Sequence, residues 1–102
     1  MKNLQIFYQR NCPHCRKAFE FIETLKEENE IYRLIEPRLI EETLEVDYAD
    51  LFDYFLVPTF YIDNEKVHEG VVSKEQMREI LNKTLEDWKK RFLIIIQKVK
   101  KT

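Results

Sequence analysis

Both cysteines of the 102-residue chain stand in one short stretch, Cys12-Pro13-His14-Cys15. Two thiols three residues apart are suited to forming and breaking a single disulfide, whereas a closed metal cage brings more soft ligands. Pro13 fits the first position of a helix, where its missing N–H costs nothing and its fixed φ is already helical. Cys12 is then the N-cap. Unpaired backbone N–H groups and the positive end of the helix dipole lie beside its sulfur and favour a thiolate, the form that attacks disulfides. Cys15 points back toward the N-terminus and can reach Cys12, so Cys12 is the attacker and Cys15 the resolver. His14, in the same turn, is either an exposed helix-start residue or a further stabiliser of the Cys12 thiolate.

These residues need a strand to deliver them and a helix to carry them. Leu4 to Tyr8 has apolar side chains on both parities, the pattern of an inner strand covered on both faces. Gln9-Arg10-Asn11 is a polar turn. Ala18, Phe19, Ile22 and Leu25 then recur at helical spacing, predicting an amphipathic helix that Glu28-Asn29-Glu30 ends. Ile31 to Ile35 reads as a second strand closed by Glu36-Pro37, giving a right-handed parallel crossover. Leu44, Tyr48, Leu51, Phe52 and Phe55 predict a second helix, with acidic residues between them forming a solvated face or a partner-docking one. Val57-Pro58-Thr59 opens a third strand, where the proline is either an edge feature or a cis-proline shaping the backbone. Asp63-Asn64-Glu65 turns the chain into a hairpin through Glu69. After Gly70, Ser73 and Gln76 have capping-box spacing at the start of a last helix carrying Met77, Ile80, Leu81 and Trp88.

Composition narrows the classes of function. Hydrophobic residues make up 44% and charged residues 35% of the chain, a globular balance for one domain. The formal net charge of -2 gives no case for nucleic acid, and a single glycine excludes glycine-rich phosphate loops. The first residues enter strand alternation without the apolar core of a secretory signal, and a cytoplasmic protein is expected.

The order β-α-β-α-β-β-α, with Cys-Pro-His-Cys between the first strand and helix and Val57-Pro58-Thr59 opening the third strand, resembles the thioredoxin superfamily. In size, and in beginning with the active-site strand, it is most similar to the glutaredoxin branch. The resemblance covers about residues 3 to 88. It implies an α/β three-layer sandwich whose four-stranded mixed sheet is ordered 2-1-3-4, and a cis Pro58 facing the cysteines across a shallow groove. The Val57 backbone would then pair with an extended substrate segment.

The resemblance implies a thiol–disulfide oxidoreductase with no bound cofactor and no metal, acting on protein disulfides or on glutathione mixed disulfides. Glutathione is a candidate cosubstrate, with Arg10 in the place of the glutaredoxins' basic residue. The stretch around Gly70, His68-Glu69-Gly70-Val71-Val72-Ser73, lacks their second glycine and following acids and is closer to thioredoxins, so a thioredoxin-reductase-type flavoprotein is the other candidate reductant. Cys-Pro-His-Cys is the tetrapeptide of periplasmic disulfide oxidases and implies a relatively oxidising couple.

Residues 1–88 form the expected domain, and residues 89–102 a basic and apolar extension of it. That extension carries six cations, no acids and the block Phe92-Leu93-Ile94-Ile95-Ile96, expected to pack on its own domain or in a homodimer, with a membrane-surface segment as second choice. Two other functions compete. One is a metal-binding module built on Cys12 and Cys15 with His14 or His68; the other is a non-enzymatic adaptor using the acidic helix and the tail.

Overall fold

The computed structural model describes residues 1–87. Along them run β1 (Leu4–Tyr8), α1 (Pro13–Glu28), a 3-10 helix (Glu30–Leu34), β2 (Arg38–Glu41), α2 (Val46–Ala49), β3 (Thr59–Ile62), β4 (Glu65–Glu69) and α3 (Lys74–Thr84). The four strands make one sheet in the order β2-β1-β3-β4, with β2 parallel to β1 and the other pairings antiparallel. The expected topology is thus present. Trp88 and the 89–102 extension lie outside the described residues.

The two parities of β1 build two separate cores, because alternate side chains of a strand leave on opposite faces. Leu4 and Ile6, with Phe60 and Ile62 of β3, face α1 and α3 through Ala18, Ile22, Leu25, Met77, Ile80 and Leu81. Phe7 and Tyr61 face the other way, where Ile40, Ala49, Tyr48, Phe52 and Tyr54 pack on them. That second core is largely aromatic, with the Phe7 ring 4.7 Å from Phe52 and 5.0 Å from Tyr54. It also holds a buried amide. Gln5 accepts a hydrogen bond from the Tyr48 hydroxyl, so its polar tip is partnered rather than stranded. Ser73 and Gln76 form the expected capping box at α3, the serine side chain accepting from Gln76 N at 3.1 Å and the glutamine returning to Ser73 N at 2.9 Å.

Two expected elements are corrected. Ile31 to Leu34 lie in the 3-10 helix Glu30–Leu34, which Ile35 caps, and the strand lies beyond Pro37 at Arg38–Glu41. Asn29 decides this: its side chain accepts from Ile31 N and its carbonyl from Tyr32 N, nucleating a turn with three-residue repeat. That repeat buries Tyr32 and Ile35, and the Tyr32 hydroxyl reaches Asn82 of α3 at 2.8 Å. The true strand is poor in apolar residues because it is the sheet edge and its last residue, Glu41, is a carboxylate satisfied by its neighbours.

The second correction concerns the expected helix through Phe55, which is a single turn, Val46–Ala49, leaving Leu44, Leu51 and Phe55 exposed. Asp50 and Asp53 sit where the negative end of a helix dipole disfavours acids. In addition, the Asp53 carbonyl accepts from the Tyr61 hydroxyl at 2.7 Å and Lys66 Nζ at 3.2 Å, which draws the chain out of helical hydrogen bonding.

Candidate active site

The C-terminal end of β1 releases the chain into the turn Gln9–Asn11, and Cys12 N donates to the Gln9 carbonyl at 3.2 Å. Cys12 has extended backbone (φ -91, ψ 116) and caps α1, with Pro13 in the first turn as the sequence predicts. Its sulfur accepts from Cys15 N at 3.4 Å. Both cysteines are free thiols, Cys12 half-buried and Cys15 1% exposed.

Burial is the largest influence on Cys12 and by itself would push the thiol up. Hydrogen bonds from the Cys15 thiol, the Cys15 N–H and the His14 backbone N–H outweigh it, and the net direction is down. Cys15 goes the other way. Burial first, then the proton it lends to the Cys12 sulfur and the negative charge there, push it up to about 12. The two thiols therefore differ in kind: one is half-buried and inclined to ionise, the other is covered and holds its proton. His14 acts on this site through its main chain, while its side chain is exposed.

Across from the sulfur stands the loop before β3. The Val57–Pro58 peptide bond is cis, and the Val57 carbonyl lies 3.9 Å from Cys12 Sγ. Thr59 is buried, its hydroxyl donating to the Leu56 carbonyl, which is a packing role rather than a chemical one. Gly70 closes the far side. Its N–H donates to the Pro58 carbonyl at 2.8 Å and its φ of +90 is accessible to glycine without strain. A Cβ there would stand 3.2 Å from Leu56 Cδ1.

Arg10 is brought near the cysteines but is engaged. Its Nε lies 3.1 Å from Glu41 Oε2, and Glu41 also accepts from Thr43 N and Thr43 Oγ1. Hydrogen bonds from Thr43 and Arg10 hold the Glu41 carboxyl below the usual range, those from Thr43 first. Arg10 and Arg16 rim an open groove of about 350 Å³ on the α1 side of the sheet, walled by Tyr8, Phe19 and Leu39 and reaching Cys15 at its inner end.

Three residues with a bearing on the site were not singled out by sequence. Glu42, held by Gln9 Nε2 at 2.7 Å and the Tyr54 hydroxyl at 3.0 Å, places a negative charge that raises both thiols. Its sequence signal is submerged in a run of acids. Glu69 accepts from the Phe55 and Leu56 N–H groups, a contact that strand alternation could not foretell. Phe55, at helical spacing in the sequence and with no site role expected there, is 91% exposed.

Neither histidine joins the cysteines in a metal cage: among the described residues no group of three or more His, Cys, Asp or Glu side chains could hold an ion. His68 instead packs against Phe60 and contacts the Val71 carbonyl at 2.8 Å through Nε2. Among the described residues no helix is long and apolar enough to cross a membrane.

A family match agrees with this architecture. The family model for the thioredoxin domain matches residues 2–82. A mutant thioredoxin from Halobacterium salinarum NRC-1 is a structural neighbour at 22% identity and a TM-score of 0.49, over 81% of this chain and 74% of that one. No curated protein sequence matches. By the extent of that family match, the chain belongs to the thioredoxin-domain family, whose fold points to a redox-type function.

Proposed function

We propose that the protein is a thiol–disulfide oxidoreductase in which Cys12 is the nucleophile and Cys15 the resolving thiol. The observation that carries this reading is the opposed setting of the two thiols: Cys12, half-buried, caps α1 and its sulfur accepts from Cys15 N at 3.4 Å, while Cys15 is buried behind it. The Cys12 thiolate attacks one sulfur of a substrate disulfide; a mixed disulfide forms, and the leaving thiolate takes up a proton. Cys15 then loses its proton and attacks Cys12 Sγ, releasing the second substrate thiol. The substrate gains two electrons and the protein is left with a Cys12–Cys15 disulfide.

Substrate contact falls to the Val57 carbonyl opposite Cys12 and to the exposed apolar side chains beside it, Phe55, Leu56 and Val71. An apolar rim of this kind suits a polypeptide disulfide better than glutathione. Arg10, the candidate ligand for a glutathione carboxylate, is already paired with Glu41. A flavoprotein reductase is accordingly the favoured source of electrons, with glutathione the alternative, and the reducing cytoplasm is the setting in which either operates.

Turnover of a fluorogenic peptide disulfide tests the reading. Cys12→Ser abolishes turnover and Cys15→Ser accumulates a mixed disulfide with substrate, detectable by mass. Full turnover by Cys12→Ser overturns the assignment. Supplying NADPH with either glutathione and its reductase or a thioredoxin-reductase-type flavoprotein identifies the electron donor.

A further inference from the structure

The loop that faces Cys12 is not held in place by its own side chains. Phe55 is 91% and Leu56 59% exposed, so hydrophobic packing does little to fix the segment just before Val57. Its backbone is fastened instead. Glu69 Oε2 accepts from Phe55 N at 2.5 Å and Leu56 N at 2.9 Å, and Glu69 Oε1 takes Lys66 Nζ at 2.8 Å. The same lysine donates to the Asp53 carbonyl at 3.2 Å, where the Tyr61 hydroxyl also lands.

A local irregularity of the sheet makes this clasp. Residues three apart on a regular strand point to opposite faces, and Lys66 and Glu69 should not meet. The β3–β4 register shifts between Phe60 and Tyr61, so that Tyr61 pairs with Lys66 while Phe60 pairs with His68, and Val67 is the extra residue of a bulge. Lys66 and Glu69 thereby stand opposite Tyr61 and Thr59, which share a face. The Glu69 carboxylate and Lys66 ammonium are ionised, so the hydrogen bonds they make are charge-assisted.

We propose that Glu69 is a positioning residue of the thiol–disulfide site: braced by Lys66, its carboxylate fastens the backbone of Phe55 and Leu56 and so sets where the Val57 carbonyl and the apolar rim stand relative to Cys12. The inference builds on the function proposed above and narrows its substrate to an extended polypeptide disulfide flanked by apolar residues, gripped along this loop. The chemistry at the sulfur is left to the cap of α1; Glu69 acts on substrate capture.

The test compares wild type, Glu69→Ala and the isosteric Glu69→Gln in the full chain, with a peptide disulfide flanked by leucines and with 2-hydroxyethyl disulfide. Amide hydrogen exchange at Phe55 and Leu56 is followed in parallel. Losing a charge-assisted anchor raises KM for the peptide about tenfold with a smaller effect on kcat, and the loss in kcat/KM is at least about fivefold greater for the peptide than for the small disulfide. Exchange at the two amides speeds by about tenfold or more in Glu69→Ala, with Glu69→Gln between it and wild type. Unchanged exchange in both variants shows that no clasp exists and overturns the proposal. Faster exchange with an unaltered peptide KM, or equal losses on both substrates, makes the carboxylate merely structural and overturns it too. A wild-type protein that exchanges neither disulfide sinks the proposed function itself, and the positioning role with it.

Discussion

The opposed settings of the two thiols convert into a rate that can be measured without any natural substrate. Cys15 is pushed up to about 12, whereas Cys12 lies below the ordinary 9.0. The separation is at least about three pH units, or roughly a thousandfold in thiolate fraction at neutral pH. Intrinsic nucleophilicity runs the other way, because a more basic thiolate attacks faster. With a Brønsted slope of about 0.4–0.5 this returns roughly twentyfold to Cys15. Electronic effects alone therefore leave Cys12 faster by about fiftyfold, and the burial of Cys15 adds to that.

The assay is alkylation of the reduced protein by a limiting amount of iodoacetamide at pH 7, with the label localised by fragmentation of the peptide Asn11–Arg16. The first label is expected on Cys12 with at least about fiftyfold preference. The pH profile of that step rises with a midpoint below 9.0, since a lowered thiol ionises earlier. Comparable labelling of the two cysteines, or preference for Cys15, refutes the reasoning and with it the assignment of attacker and resolver.

Other consequences are thermodynamic. Tyr48→Phe removes the donor to the buried Gln5 amide and costs about 1–3 kcal/mol, read as a lower urea midpoint with unchanged slope. Gly70→Ala costs about 1–2 kcal/mol, mainly from the φ of +90, because the contacted Leu56 methyl can yield a little. Ser73→Ala removes the cap of α3, costing about 1 kcal/mol and lowering Tm by about 4–8 °C. Acid unfolding follows from three depressed carboxyls: Glu28, held down first by its hydrogen bond from Lys74, Glu41 by Thr43, and Glu69, held at about 2 first by Lys66. A depressed carboxyl contributes stability that is whole above its ordinary 4.5 and is lost as pH falls through the folded value, so the urea midpoint declines below pH 4.5 and Glu69→Gln declines less steeply.

Local chemistry was legible in the sequence wherever one residue type dictates one conformation. Pro13 after Cys12 specifies a helix start and hence a capped sulfur; Ser73 and Gln76 specify another; the mixed parity of Leu4 to Tyr8 specifies an inner strand with two cores. The topology of the sheet came through the thioredoxin resemblance that the element order and those signatures carry, and the observed strand order matches what that resemblance implies. Contacts between distant segments were not legible. Ile31 to Ile35 has strand composition, yet the turn set by Asn29 and the reach of Tyr32 to Asn82 outweigh that preference. Phe55 lies at helical spacing, yet the Asp53 carbonyl is claimed by Tyr61 and Lys66 from another part of the chain. Arg10 is a cation beside a thiol in sequence and half of an ion pair with Glu41 in space. The sequence by itself determined which thiol caps a helix, because capping is local. The resemblance implied that Val57 and Pro58 face that thiol; only the tertiary structure decided how their loop is held, because the Glu69 carboxylate that fastens it arrives through strand pairing and a bulge that moves Glu69 to the other face.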